Sequence, residues 1–218
     1  MSETVKKFGM LRGLSDIFIC EIEDSEAEYK VIGTPQKLIP AGELTISKTV
    51  EKAETYFDNS LFEELASENP SELSLVGAAV RAAFLAWLEG KQVDETTGAI
   101  LDSGDYKSKF FAISGKRGYT DGTSEYFWFN KCTFGGAEET GKTSDKSTDS
   151  AGMTLPFTAH KTTFKFKNGK TSKVVKIDDA TTKLKSDASW IAQVVTPDNI
   201  AEICEKVVTT EATEATEE

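Results

Sequence analysis

Apolar and polar positions alternate with a period of two along most of the chain, the spacing of side chains on a strand. "SDIFICEIE" (15–23) is apolar at odd and even positions alike, which predicts a strand buried on both faces. "GELTISKTVEKAETYF" (42–57) sets Leu44 and Ile46 against Thr45 and Ser47 and predicts one long strand. "SKFFAISGK" (108–116) and "SEYFWFNKCTF" (124–134) flank Asp121-Gly122, a hairpin turn signal. "MTLPFTAH" alternates through Met153, Leu155, Phe157 and Ala159. "TFKFKNGKTSKVVKI" predicts a second hairpin at Asn168-Gly169. The apolar phase changes parity between Ala159 and Phe164, which predicts a bulge or corner there.

Helical periodicity is confined to short stretches. "AAVRAAFLAWLEG" places Val80, Ala83, Phe84, Trp87 and Leu88 on one face, with Gly90 as the C-terminal stop. "SELSLVG" before it reads as a strand, and "SDASWIAQVV" as a short helical turn. "TPDNIAEICEKVV" begins with Thr196 as N-cap and Pro197 at the first helical position. Its Ile200, Ile203, Cys204, Val207 and Val208 form an apolar face. The division expected is a β domain over 1–196, then a C-terminal amphipathic helix and acidic extension over 197–218.

Composition changes this picture in four ways. A chain of 218 residues is long enough for one domain with extensions. The formal net charge of −11 disfavours tight contact with nucleic acid, because little on the surface displaces phosphate counterions. Cys20, Cys132 and Cys204 are far apart with no paired spacing, so free thiols are expected. The first ten residues lack an apolar signal core and no run reaches membrane-spanning length, so folding in a cytoplasm is the expectation.

Catalytic motifs fare poorly. From Gly136, "GAEETGKT" satisfies the P-loop pattern, with Lys142 and Thr143 in the phosphate-binding places. That motif needs a helix starting at the Lys-Thr pair. Here "SDKSTDSAGMTLPF" follows, polar and then strand-like, and Glu138 and Glu139 would repel a triphosphate. The segment reads as a long loop between antiparallel strands. His160 has no Cys or carboxylate at ligand spacing, and no nucleophile motif is present, so neither an enzyme nor a cofactor nor a metal site is expected.

Several blocks, in order, carry a resemblance. They are "KFGMLRGLSDIFICEI", "YKVIGTPQKLIPAGELTISKT", "ETYFDNSLFEEL", "SELSLVGAAVRAAFLAWLEGKQVDETTGAILDSGD", "KFFAISGKRGYTDGTSEYFWFNKCTF", "MTLPFTAHKTTF" and "ASWIAQVVTP". Their order and spacing over about residues 7 to 197 resemble the major tail proteins, the tail tube subunits of long-tailed, non-contractile phages of Gram-positive bacteria. The resemblance implies a mainly β fold, an antiparallel β-sandwich or half-barrel with one flanking α-helix and a short C-terminal helix. It implies a structural virion protein, assembled in the host cytoplasm, whose six-membered rings stack into a tail tube. Its partners would be further copies of itself, the tape measure protein and the tail terminator or tip proteins. DNA would pass through the lumen without specific binding, and no membrane is involved. In such proteins a long loop after the second strand reaches the next ring. The matching segment, Thr49 to Asn69, carries Tyr56, Phe57, Leu61, Phe62 and Leu65 as the candidate inter-subunit residues. The rival reading is an extracellular β-sandwich binding module, an adhesin or carbohydrate-binding domain, which shares the strands and the acidic charge.

Overall fold

The computed structural model describes residues 9–57, 60–104, 108–137 and 152–206, with the side chains of residues 55–57, 60–63, 65, 187 and 206 outside that description. The fold is mainly β and antiparallel. Its centre is three long strands, β1 (Leu11–Asp24), β9 (Phe110–Tyr119) and β10 (Ser124–Phe134). Flanking them are β2 (Tyr29–Lys37), β3 (Ala41–Ser47), β6 (Ser71–Gly77), β11 (Met153–Ala159) and β12 (Val174–Asp178). The order across the sheet is β2-β1-β9-β10-β11-β6-β3, with β12 also paired to β10. β3, at one end of this order, comes back into contact with β1 near the other, so the sheet curls into a half-barrel.

The central strands are apolar on both faces because each face has its own core. Ile17 and Ile19 of β1, Phe111 and Ile113 of β9, and Phe127 and Phe129 of β10 point into the first, which fills the curl with Leu75 and Leu155. Cys20 and Ile22, Ala112, and Tyr126 and Trp128 alternate into the second. Helix α1 (Ala82–Glu89) closes the first core with Leu85 and Leu88, while Phe84, Trp87 and Val80 are half-buried at its margin. Glu21 ties it down, accepting from Trp87 Nε1 at 3.1 Å and from Lys109 Nζ at 3.1 Å. Gly90 ends the helix at φ 68°, a left-handed stop that glycine takes without strain. A two-stranded ribbon, β7 (Gln92–Val93) and β8 (Ile100–Leu101), follows it.

The second core is covered by α2 (Asp187–Ala192) and the chain after it. Trp190 is 1% exposed, stacks edge-on to Tyr126 and accepts a 2.9 Å hydrogen bond at its carbonyl from Trp128 Nε1. The expected helix from Pro197 is shorter than its pattern suggests. Only α3 (Ile200–Ile203) is helical, and Cys204–Lys206 is a strand, β14, paired with β13 (Thr182–Leu184). Ile203 and Cys204 are buried in the second core. Residues 200–204 thus belong to the packed body, and a strand partner overrode the helical spacing. Residues 207–218, including Val207 and Val208, lie outside the described residues.

The Asp121-Gly122 hairpin forms as expected, with Tyr119 N–H donating to the Thr123 carbonyl at 2.7 Å. The second expected hairpin is different. A turn does form at Asn168-Gly169, but Thr163 to Lys167 is not a strand. β11 pairs with residues 132–134 of β10, and β12 pairs with residues 125–129 of the same strand in the same antiparallel sense. The two are one broken strand, and residues 160–173 are an excursion from the break. The parity change between Ala159 and Phe164 marks where the chain leaves the sheet.

Candidate assembly interface

The long strand expected over 42–57 is interrupted at Lys48 and Thr49. Its first part, β3, pairs with β6, Ser47 facing Glu72. Among the described residues its second part, β4 (Val50–Phe57), pairs only with β5 (Ser60–Glu68), Val50 facing Glu68. Thr49 and Asn69 join the two ladders through a 2.9 Å N–H to carbonyl bond. The whole is a single ribbon whose root lies in the main sheet and whose outer half, β4–β5, runs beyond it. Pro70 stands at the kink, where its missing N–H breaks the ladder on that side. Strands of eight and nine residues make this arm about 26 Å long or slightly more.

Where side chains of the arm are described, at residues 50–54, 64 and 66–68, they are exposed. Val50 is 53% exposed. Lys52 and Glu64 form a cross-strand ion pair at 2.7 Å. The root is better held. Asn69 Nδ2 donates to Glu51 at 2.9 Å, and Lys173 Nζ donates to Glu68 at 2.8 Å and to the Asn69 carbonyl at 2.7 Å. The Lys173 hydrogen bond and charge hold the Glu68 carboxyl below its ordinary pKa. A two-stranded ribbon without a covering layer is marginal in water. An arm of this length therefore gains stability from whatever surface it meets.

Of the residues predicted for the contact, Tyr56 and Leu61 face each other across the ladder, Phe57 faces Ser60, and Leu65 faces Ala53. Phe62 sits at the irregularity between Thr55 and Tyr56, where the register shifts. The backbone thus brings all five onto one arm and four of them to its outer end. Their side chains lie outside the described residues.

The main sheet offers a second kind of contact. β2 and β3 end the strand order, and each has one side without a strand partner among the described residues. Val31 and Ile32 on β2 are 37% and 38% exposed, and Val93 and Leu101 on the β7–β8 ribbon are also exposed.

The chemical candidates do not converge. Gly136 and Ala137 are described, Gly136 at φ 87°, but Glu138 to Ser150, with Lys142 and Thr143, lie outside the described residues. His160 Nε2 lies 3.1 Å from Thr133 Oγ1. Burial, with Lys131 and Lys173 nearby, lowers its pKa below the ordinary imidazole value. Among the described residues no three His, Cys, Asp or Glu side chains are grouped to hold a metal. Cys20, Cys132 and Cys204 are free and buried.

Two buried polar constellations were not foreseen, and both are structural. Asn130 sits at the break between β11 and β12, where the register of β10 also shifts. Its Nδ2 donates to the Val195 carbonyl at 2.7 Å, and its Oδ1 accepts from Ser172 Oγ at 2.6 Å. Asp24, its carboxylate fully buried, accepts from Lys131 Nζ at 2.7 Å and from the N–H groups of Thr163 and Phe164 at 2.6 and 3.0 Å. Together they fasten the 160–173 excursion to the sheet. An asparagine in the apolar run "YFWFNKCTF" was the signal available for the first. Comparison of the sequence with protein-family models and with curated proteins finds no match to either.

Proposed function

We propose that this chain is a structural subunit that polymerises as stacked six-membered rings into a phage tail tube, the conduit for DNA ejection. The observation that carries the reading is the β4–β5 arm, a ribbon that runs beyond the main sheet and, among the described residues, pairs only with itself. A subunit that stacks needs such a contact beyond its own body, and the arm supplies it with Tyr56, Phe57, Leu61, Phe62 and Leu65. The open sides of β2 and β3 suit lateral pairing between neighbours, which would remove the sheet's edge liability and continue the curled sheet around a lumen. A net charge of −11 suits a wall past which a duplex slides without adhering. The tape measure protein and the terminator or tip proteins follow from the same reading as partners at the lumen and the tube ends.

Deleting residues 52–66 tests the proposal. The described side chains of the arm belong to neither core, so the shortened protein should remain folded, with wild-type far-ultraviolet dichroism and a cooperative melt. It should no longer sediment as tubes. Tubes that persist without the arm would refute the stacking role.

A further inference from the structure

The 160–173 excursion carries Lys161, Lys165, Lys167, Lys170 and Lys173 and no acidic residue, on a protein of net charge −11. The chain alternates here. Thr162 and Phe166 are buried and Phe164 is half-buried, so Lys161, Lys165 and Lys167 are turned outward, and Lys170 is exposed beyond the turn. Lys173 is taken by Glu68, and Lys161 lies in the field of the same carboxylate. Among the described residues no ion pair involves Lys165, Lys167 or Lys170. Asp198 accepts from the Lys167 backbone N–H at 2.8 Å, and not from a lysine side chain. Below these lysines, Phe164, Phe166, Tyr29 and Val194 line a groove of about 300 Å³, with Glu28 and Asp198 at its edge.

The rest of the chain holds a complement. After Lys206 come twelve residues, "VVTTEATEATEE", with Glu211, Glu214, Glu217 and Glu218 and no basic residue. Reach is adequate. Asp198 touches the loop, and the eight residues from it to Lys206 span at most about 27 Å. Twelve more, extended, span about 40 Å. We propose that the exposed lysine face of the 160–173 excursion is the docking surface for the acidic segment Glu211 to Glu218 of the same chain. The contact is electrostatic and salt-sensitive, and it neutralises a basic patch on an acidic protein. The proposal does not depend on the tube reading.

Zero-length carbodiimide cross-linking tests it, since the reagent joins only a carboxylate and an amine in direct contact. An equal mixture of ¹⁵N-labelled and unlabelled full-length protein is treated at low salt and mapped by mass spectrometry. The expected result is cross-links from Glu211–Glu218 to Lys165, Lys167 and Lys170, with both peptides of one isotope, lost in 1 M salt where screening reaches about 3 Å. In a full-length variant with the four glutamates changed to Gln, acylation of those three lysines should rise roughly threefold, the scale of a weak exposed ion-pair contact. Cross-links of mixed isotope only would move the contact to a neighbouring copy and overturn the proposal. So would cross-links confined to Lys183 or Lys206 beside the segment's own root, an absence of cross-links at low salt, or lysine reactivity unchanged by the Gln variant.

Discussion

Replacing Asn130 with leucine tests how the broken strand is held. Asn130 is fully buried. Its amide bridges Ser172, at the return of the 160–173 excursion, to Val195 in the cover of the second core, at 2.6 and 2.7 Å. Leucine has a similar volume, so the cavity contribution is small and the polar contribution dominates. Two hydrogen bonds are lost, each contributing about 1 kcal/mol net. The Ser172 hydroxyl and the Val195 carbonyl are left buried without this partner, at about 1–2 kcal/mol each. The sum is a loss of about 4–6 kcal/mol, or a fall in Tm of roughly 8–24 °C for a chain of this size. Urea unfolding followed by tryptophan fluorescence reads it directly, because Trp128 and Trp190 lie in the adjoining core. Ser172→Ala removes one bond and leaves Asn130 Oδ1 buried without that donor, a cost of about 2–3 kcal/mol on the same reckoning. A loss under 1 kcal/mol for Asn130→Leu, with an unchanged denaturant slope, would refute the view that this bridge fastens the two halves of the broken strand.

The remaining predictions concern charge, thiols and the glycine-lysine motif. Burial raises the pKa of Asp24, but Lys131 and the amides of Thr163 and Phe164 outweigh it and hold the carboxyl below its ordinary value. A carboxyl depressed in the folded state stabilises above its unfolded pKa of about 3.9, and that contribution is lost as pH falls through the folded value. Asp24→Asn should therefore lower the urea midpoint at pH 7, and its gap from the wild type should narrow below about pH 4; an equal gap at both pH values would contradict this. Burial, with a smaller effect from the Glu21 charge, pushes the Cys20 thiol up to about 11, and burial raises Cys132 and Cys204 as well. All three thiols should resist an aromatic disulfide reagent at pH 8 in the folded protein and react together on unfolding; fast reaction of any one in the native state would show an opening the packing does not allow. Lys142→Ala should leave stability and assembly unchanged, and the wild type should bind no ATP by calorimetry; binding that disappears in the variant would restore the P-loop reading.

The sequence made the sheet's centre legible because β1 and β10 are apolar at successive positions, a pattern that only a two-faced core explains. The Asp121-Gly122 turn was equally readable, since its chemistry is local. The break between β11 and β12 was not. The pattern around Asn168-Gly169 looks like a hairpin, and only the pairing of both strands with β10 shows that the turn caps an excursion. The C-terminal spacing of Ile200, Ile203 and Cys204 suits a helix, yet β13 offered Cys204 a strand partner. On the candidate interface, the alternation of 42–57 foretold strands, and the backbone places the apolar positions Tyr56, Phe57, Leu61, Phe62 and Leu65 on the ribbon they form. That the outer half leaves the sheet could not be read, because alternation reports pairing and not which partner supplies it. Asn130 and Asp24 escaped notice for a related reason. Their partners are 42 to 140 residues away in sequence.

Assembly itself is the most direct test of the functional proposal. Purified full-length protein, concentrated at neutral pH, should be imaged by negative-stain electron microscopy. The account predicts rings with sixfold symmetry and tubes built from them, with an open lumen. In averaged images of those tubes the lysine face of residues 160–173 should lie away from the lumen, because basic side chains repeated around each ring would hold a passing duplex by its phosphates. Dispersed single particles at every concentration, together with saturable binding to a glycan or cell surface, would contradict the tube and favour the binding-module reading.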